Sequence, residues 1–288
     1  MGADTEHRLA VLGAGTMGTG IATLAVGHGV PVTLIDVDEQ ILAEARTTVA
    51  QQLRLARLMG GLPRDGAEGE LATAVRPADA DAAAVTTVIE SVTEQTRLKL
   101  DVLSEVSALV APGTPLLSNT SAIPIDELAG ATARPQDVLG VHFMNPPYMI
   151  KTLEVIRGPR TSEAALTRTL SLLEALDRTG IVVGDGPGFV INRVLQRMIN
   201  EAARIVQEGI ATPEAVDALF TGCLGHRTGP LATADLIGLD NVADSLRVLF
   251  DRTGDEGYQP CDLLVDKVKA GEWGRKTGRG FFEHGGTR

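Results

Sequence analysis

The chain has 288 residues, more than one compact core usually holds, so two domains are expected. With 44% hydrophobic and 22% charged residues it reads as a well-buried globular protein, which excludes a disordered or low-complexity class. Lys and Arg number 26 against 37 Asp and Glu, and the net charge of −11 argues against a nucleic-acid partner while leaving room for anionic ligands at local basic clusters.

No run of about 18 apolar residues is present to span a membrane, and Met1 to Arg8 lack an apolar leader core, so no membrane partner and a cytoplasmic location are expected. The two cysteines, Cys223 and Cys261, could pair, but they form neither a disulfide framework nor a metal-ligand spacing.

In chain order, Arg8 to Leu12 is a short apolar run ending in glycines, the pattern of a buried strand. Thr16 to His28 predicts a helix with Met17, Ile21, Leu24 and Ala25 on one face. Pro31 to Asp36 reads as the second strand, Glu39 to Met59 as a long helix, and Gly60 to Gly69 as a loop. Strands recur at Val85–Val92, Leu116–Ser118, Val138–Phe143 and Thr152–Ile156, with helical patterns between them. Such alternation predicts an α/β fold, a Rossmann-type doubly wound and mainly parallel sheet.

The pattern changes at Gly184-Asp185-Gly186-Pro187-Gly188, beyond which no strand is predicted. Phe189 to Glu208 carries Val190, Val194, Met198, Ala202 and Ile205 at helical spacing, and Thr212-Pro213-Glu214 starts a further helix with an N-cap threonine and proline at the first position. The expected division is residues 1–185 as the α/β domain and 186–288 as an all-α domain.

Gly13-Ala14-Gly15-Thr16-Met17-Gly18 lies between the first strand and the first helix. Its glycines permit a tight turn and close backbone approach, and the helix start offers amides to a pyrophosphate. Asp36, at the end of the second strand, is placed to accept from an adenosine ribose and to repel a 2′-phosphate, so NAD is expected rather than NADP. Asp38 adds to that repulsion or is simply a solvated loop carboxylate.

Downstream lie His142, Glu154, Ser121 and Asn192. An alcohol dehydrogenation needs a base that titrates near neutrality and donors for the oxygen, which these residues offer. On the residues alone, His142 is equally compatible with a core histidine and Glu154 with a surface strand carboxylate.

The chain carries, in one order, the Gly-x-Gly-x-x-Gly loop, Asn119-Thr120-Ser121, His142-Phe143-Met144-Asn145-Pro146 and Leu153-Glu154-Val155-Ile156. Asp185-Gly186-Pro187-Gly188-Phe189-Val190-Ile191-Asn192-Arg193, Gly229-Pro230-Leu231 with Asp235, and Lys276-Thr277-Gly278-Arg279-Gly280-Phe281 follow. The series resembles the NAD-dependent 3-hydroxyacyl-CoA dehydrogenases over essentially the whole chain. The resemblance implies His142 as general base, Glu154 as the carboxylate that holds it, Ser121 as the residue bonded to the substrate oxygen, and Asn192 at the thioester end. It implies cofactor contacts from Gly13, Gly15, Thr16, Met17, Gly18 and Asp36, and from Glu94, Lys99, Asn145 and Lys276. For Glu94, Lys99 and Lys276, exposed helix or tail charge is the alternative. It also implies a homodimer formed through the helical domain, where the stripes at Phe189–Glu208 and Val242–Phe250 serve either the interface or the core.

Where the family carries a serine and a lysine that contact CoA, this chain has Gln52 and Met59, with Arg54, Arg57 and Arg64 as possible replacements. Ala122 and Gly225-His226-Arg227-Thr228-Gly229-Pro230 depart as well. These departures resemble the branch acting on short acyl groups held by an acyl carrier protein. They lead to an expected glyceryl-type substrate for polyketide extender-unit synthesis, with Arg54, Arg57 and Arg227 meeting the carrier. The alternative is 3-hydroxybutyryl-CoA. A further one, from Asn145-Pro146-Pro147-Tyr148, is a free sugar acid such as gulonate, or a crystallin-like protein.

Overall fold

A computed structural model describes residues 7–285; Met1 to Glu6, most of the segment read above for a leader, lie outside the described residues. The chain divides into two compact units, one ending at Gly186 and one starting at Pro187. No described helix is long and apolar enough to cross a membrane.

The first unit is built on an eight-stranded sheet in the order β3-β2-β1-β4-β5-β6-β7-β8. Its strands are β1 (Leu9–Leu12), β2 (Val32–Ile35), β3 (Leu71–Ala74), β4 (Thr87–Glu90), β5 (Leu116–Ser118), β6 (Val138–His142), β7 (Thr152–Arg157) and β8 (Thr179–Gly184). All neighbours run parallel except β6 and β7. The helices are α1 (Thr16–Gly27), α2 (Glu39–Leu58), α3 (Thr96–Leu109), the short α4 (Ile125–Ala129) and α5 (Glu163–Ala175). The central strands are buried on both faces, as a parallel sheet covered by helices requires, and therefore read as unbroken apolar runs. Leu9, Val11, Leu34 and Ile89 are fully enclosed, each worth about 1.5–3 kcal/mol of transfer free energy.

Two strands were not predicted. β3 is Leu-Ala-Thr-Ala at a sheet edge and only half-buried, so its composition gives little β signal. β8, between glycines at the other edge, leaves Ile181 and Val182 exposed and lacks the alternation of a one-faced strand.

The order of winding places the site. From β1 the chain builds outward to β2 and β3, then returns to lay β4 on the other side of β1. The carboxyl ends of β1 and β4 thus flank a crevice at a topological switch point, where ligands bind in open α/β sheets.

The second unit contains α6 (Ile191–Gln207), α7 (Pro213–Leu224), α8 (Pro230–Ile237), α9 (Leu239–Thr253) and α10 (Asp262–Lys269), and no strand among its described residues. The Thr212 hydroxyl accepts from the Ala215 amide and Pro213 opens α7, the cap the sequence predicts. The stripe on α6 divides: Ala202 is buried and Val194 is 64% exposed, and the other buried positions are Gln196, Ile199, Asn200 and Ala203. Asn200 is tolerated inside because its Nδ2 donates to the Gly257 and Gln259 carbonyls and its Oδ1 accepts from the Cys261 amide. The other stripe, Val242, Leu246 and Leu249, lies in the core of this unit. Cys223 is exposed and Cys261 buried; both are free, so the pairing considered above is not made.

Candidate active site

The glycine loop has the geometry a pyrophosphate needs. Gly13 sits at φ +94°, and a Cβ there would lie 2.6 Å from the Ser91 carbonyl oxygen. A Cβ on Gly18 would lie 1.8 Å from the Gly13 carbonyl oxygen, so only glycine lets α1 approach the strand this closely. Gly15 and Thr16 are exposed, Met17 is half-buried, and no side chain caps the helix start, which leaves that end open to an anionic ligand.

Asp36 follows β2, where its Oδ2 accepts from the Ala14 amide at 2.8 Å and its Oδ1 from the Asp38 amide at 3.1 Å. Asp38 is exposed and also caps α2, accepting from the Gln40 and Ile41 amides. Between Asp36 and the loop after β4 lies a cavity of about 370 Å³ with Ile41, Val75, Pro77 and Leu98 among its apolar walls. An apolar slot bordered by a carboxylate and an open helix start fits an adenosine diphosphate half of a dinucleotide.

The second cluster lies at the carboxyl ends of β5 and β6. In the antiparallel pair, His142 of β6 stands directly opposite Glu154 of β7, so both side chains leave the same face. His142 Nδ1 lies 3.0 Å from Glu154 Oε2, and His142 Nε2 lies 3.1 Å from Ser121 Oγ. His142 and Glu154 are both buried, which removes the surface-carboxylate reading of Glu154 and makes the two a partnered pair. With the carboxylate accepting from Nδ1, the histidine is held in the tautomer whose Nε2 can accept a proton.

Lys99 and Glu94 are also placed together. Lys99 is 1% exposed, so the exposed-helix alternative fails for it. Its Nζ donates to Glu90 Oε1 at 2.6 Å and to the Val92 carbonyl at 3.2 Å, and it pairs with Glu94 Oε2 at 3.2 Å. Glu94 Oε1 in turn accepts from Thr120 Oγ1 and from the Ser121 amide.

Three contributors were not singled out from sequence. Glu90 is the fully buried anchor of Lys99. Asn119 Oδ1 accepts from the Phe143 amide at 2.8 Å and ties the loop after β5 to the end of β6. Arg178, buried, donates to the Pro147 and Tyr148 carbonyls and fixes the loop that carries Asn145. Burial holds its guanidinium below the usual arginine range. Only Asn119, inside a quoted motif, carried a signal; Glu90 and Arg178 look like ordinary strand and turn charges.

Asn145 is exposed in the loop after β6. Asn192, in the first turn of α6, and Lys276 belong to the second unit, where Lys276 is ion-paired with Asp240 and lies over the Trp273 ring. Lys276 is exposed there, as the tail-charge alternative has it, with its charge paired. Several motifs of this unit prove architectural. Asp217 accepts from the Leu231 and Ala232 amides, and Asp235 from the Phe281 and Phe282 amides and from His284. A Cβ on Gly229 would strike Asp217, and one on Gly280 would strike Asp235.

A dinucleotide crevice next to a hydroxyl–imidazole–carboxylate chain defines an NAD-dependent oxidoreductase. Residues 8–186 match the family model for the 3-hydroxyacyl-CoA dehydrogenase NAD binding domain, and residues 188–284 match that for its C-terminal domain. The chain belongs to the 3-hydroxyacyl-CoA dehydrogenase family. It is 40% identical over 287 residues to a Bacillus subtilis protein named as a probable 3-hydroxybutyryl-CoA dehydrogenase, covering 96% of this chain and 97% of the relative. FadB2 of M. tuberculosis is similar in structure, with a TM-score of 0.91, 36% identity and coverage of 97% of this chain and 99% of that one. The (S)-3-hydroxybutyryl-CoA dehydrogenase PaaH1 of Ralstonia eutropha gives a TM-score of 0.89 at 34% identity, covering 98% and 100%.

Proposed function

We propose that the chain interconverts the 3-hydroxyl and 3-oxo groups of a short 3-hydroxyacyl-CoA, with 3-hydroxybutyryl-CoA as the substrate it fits best. The observation that carries this is the Ser121–His142–Glu154 chain of hydrogen bonds in the α/β unit that holds the coenzyme loop. NAD, when bound, supplies the hydride acceptor. His142 Nε2 takes the proton of the 3-hydroxyl as C3 gives up its hydride and the C–O bond becomes a carbonyl. Ser121 Oγ holds the oxygen, and Glu154 stabilises the imidazolium and keeps the ring oriented. In reduction the same groups act in reverse. Asp36 holds the adenosine ribose, and the Gly13–Gly18 loop the pyrophosphate.

Asn192 is assigned to the thioester end, and Asn145, Glu94 and Lys276 to the nicotinamide side. A coenzyme contact by Lys276 would compete with Asp240. Exposed Val194, Leu219 and Leu224 support a homodimer formed through the helical unit.

The carrier-protein substrate expected from the departures at Gln52 and Met59 gains no support. The relatives carry names of CoA-ester dehydrogenases along nearly the whole chain. Gln52 also has a local reason to be there, since its Oε1 accepts from Thr23 Oγ1 at 2.9 Å. Arg57 is ion-paired to Glu68 and is no spare cation.

The test is NADH formation by the purified protein with 3-hydroxybutyryl-CoA, glyceryl-CoA, a glyceryl group on a carrier protein, and free gulonate. The CoA ester of 3-hydroxybutyrate should react fastest. Turnover confined to the carrier-bound glyceryl group, or to gulonate, would overturn the assignment.

A further inference from the structure

We propose that Glu90, which touches no reacting group, is a positioning residue: through a closed ring of hydrogen bonds and ion pairs it fixes Ser121 against His142. The inference rests on the reading that Ser121 and His142 serve the dehydrogenation.

The ring can be followed atom by atom. Ser118 Oγ donates to Glu90 Oε2 at 2.5 Å and accepts from the Thr120 amide at 3.3 Å. Thr120 Oγ1 donates to Glu94 Oε1 at 2.5 Å, and Glu94 Oε2 pairs with Lys99 Nζ at 3.2 Å. Lys99 closes the circuit by donating to Glu90 Oε1 at 2.6 Å. The Ser121 amide hangs on the same Glu94 oxygen at 2.9 Å, so the backbone that aims the Ser121 hydroxyl is held by the ring.

Two features separate this from a buried ion pair that only stabilises the fold. Lys99 is held by hydrogen bonds to Glu90 and the Val92 carbonyl and by its ion pair with Glu94, so what Lys99 supplies is the placement of Glu94. A buried ion pair is in general no more stabilising than a well-packed apolar replacement, and its best-attested use is to fix one arrangement. Here the arrangement fixed is the turn from Ser118 to Ser121, and every member of the ring except Glu94 is buried.

The experiment is a double-mutant cycle of Glu90→Gln with Ser121→Ala, read as kcat and KM with 3-hydroxybutyryl-CoA and NAD at a temperature where all variants are folded. If Glu90 acts through Ser121, Glu90→Gln lowers kcat about tenfold in the parent and far less in the Ser121→Ala background, with KM changing less than kcat. An equal loss in both backgrounds, or no loss in the parent, would overturn the proposal.

Ser118→Ala opens the ring at another point and replaces Glu90→Gln should that variant not fold. Independently of any substrate, the ring proton signals of His142 in the NMR spectrum should move in Glu90→Gln and Ser118→Ala. Unmoved signals would sink the ring. Absence of turnover in the parent would sink the functional reading instead.

Discussion

In the first unit the carboxylates of Glu90, Glu94 and Glu154 meet side chains: Lys99, Ser118, Thr120 and His142. In the second, Asp217 and Asp235 meet pairs of consecutive backbone amides. Glu90 and Glu154 are as buried as Asp217 and Asp235, and all four are satisfied. A carboxylate that collects backbone amides pins two segments of chain. One that holds a histidine or a hydroxyl sets the position and protonation of a group able to react. Asp185, which accepts from the Ile125 and Asp126 amides, shows the pinning kind inside the first unit as well.

The contrast can be broken or sharpened by substitution. The largest effect is expected for His142→Ala: turnover should fall about a thousandfold while NADH affinity, read by fluorescence titration, stays within a few-fold. Comparable loss of NADH binding would move His142 out of the chemistry. Asp235→Ala should leave the Phe281 and Phe282 amides unpaired and lower unfolding stability by about 3 kcal/mol, measured by urea denaturation. A variant as stable as the parent would refute the pinning role.

Asp36→Ala should weaken NADH binding about tenfold and narrow the gap to NADPH, because both a charged acceptor and a repulsive charge are removed. An unchanged preference between the two coenzymes would detach Asp36 from the ribose. The smallest effect is expected at His28, at the end of α1, whose Nδ1 donates to the Leu24 carbonyl and whose pKa burial lowers from about 6.5. Below that value the unfolded chain binds the proton more readily than the fold does, so stability is lost as pH falls through it. His28→Gln should flatten this acid loss between pH 7.5 and 5.5 without altering kcat; an unchanged slope would contradict it.

Much of this was legible from the residues alone. The central strands announce themselves because burial on both faces makes them apolar throughout, and Gly13 and Gly18 because only glycine fits there. The edge strands were silent for the opposite reason: half-exposed, they need no fixed pattern. The buried polar position on α6 was missed because counting apolar residues assumes that polar ones face water, whereas Asn200 is buried on loop carbonyls. The sequence could propose His142, Glu154 and Ser121 but not their approach, which comes from the β6–β7 register and the loop after β5. Glu90 was invisible as a partner because nothing in a strand-end glutamate foretells a lysine closing over it from the next helix.

The most direct test sets one carboxylate of each kind side by side: kcat and unfolding free energy for Glu154→Gln and for Asp217→Ala. Glu154→Gln should lose about a hundredfold in kcat with little change in stability, and Asp217→Ala should lose about 2 kcal/mol of stability while its folded molecules turn over normally. If Glu154→Gln proves unstable but active, or Asp217→Ala stable but inactive, the division between reacting and pinning carboxylates is wrong.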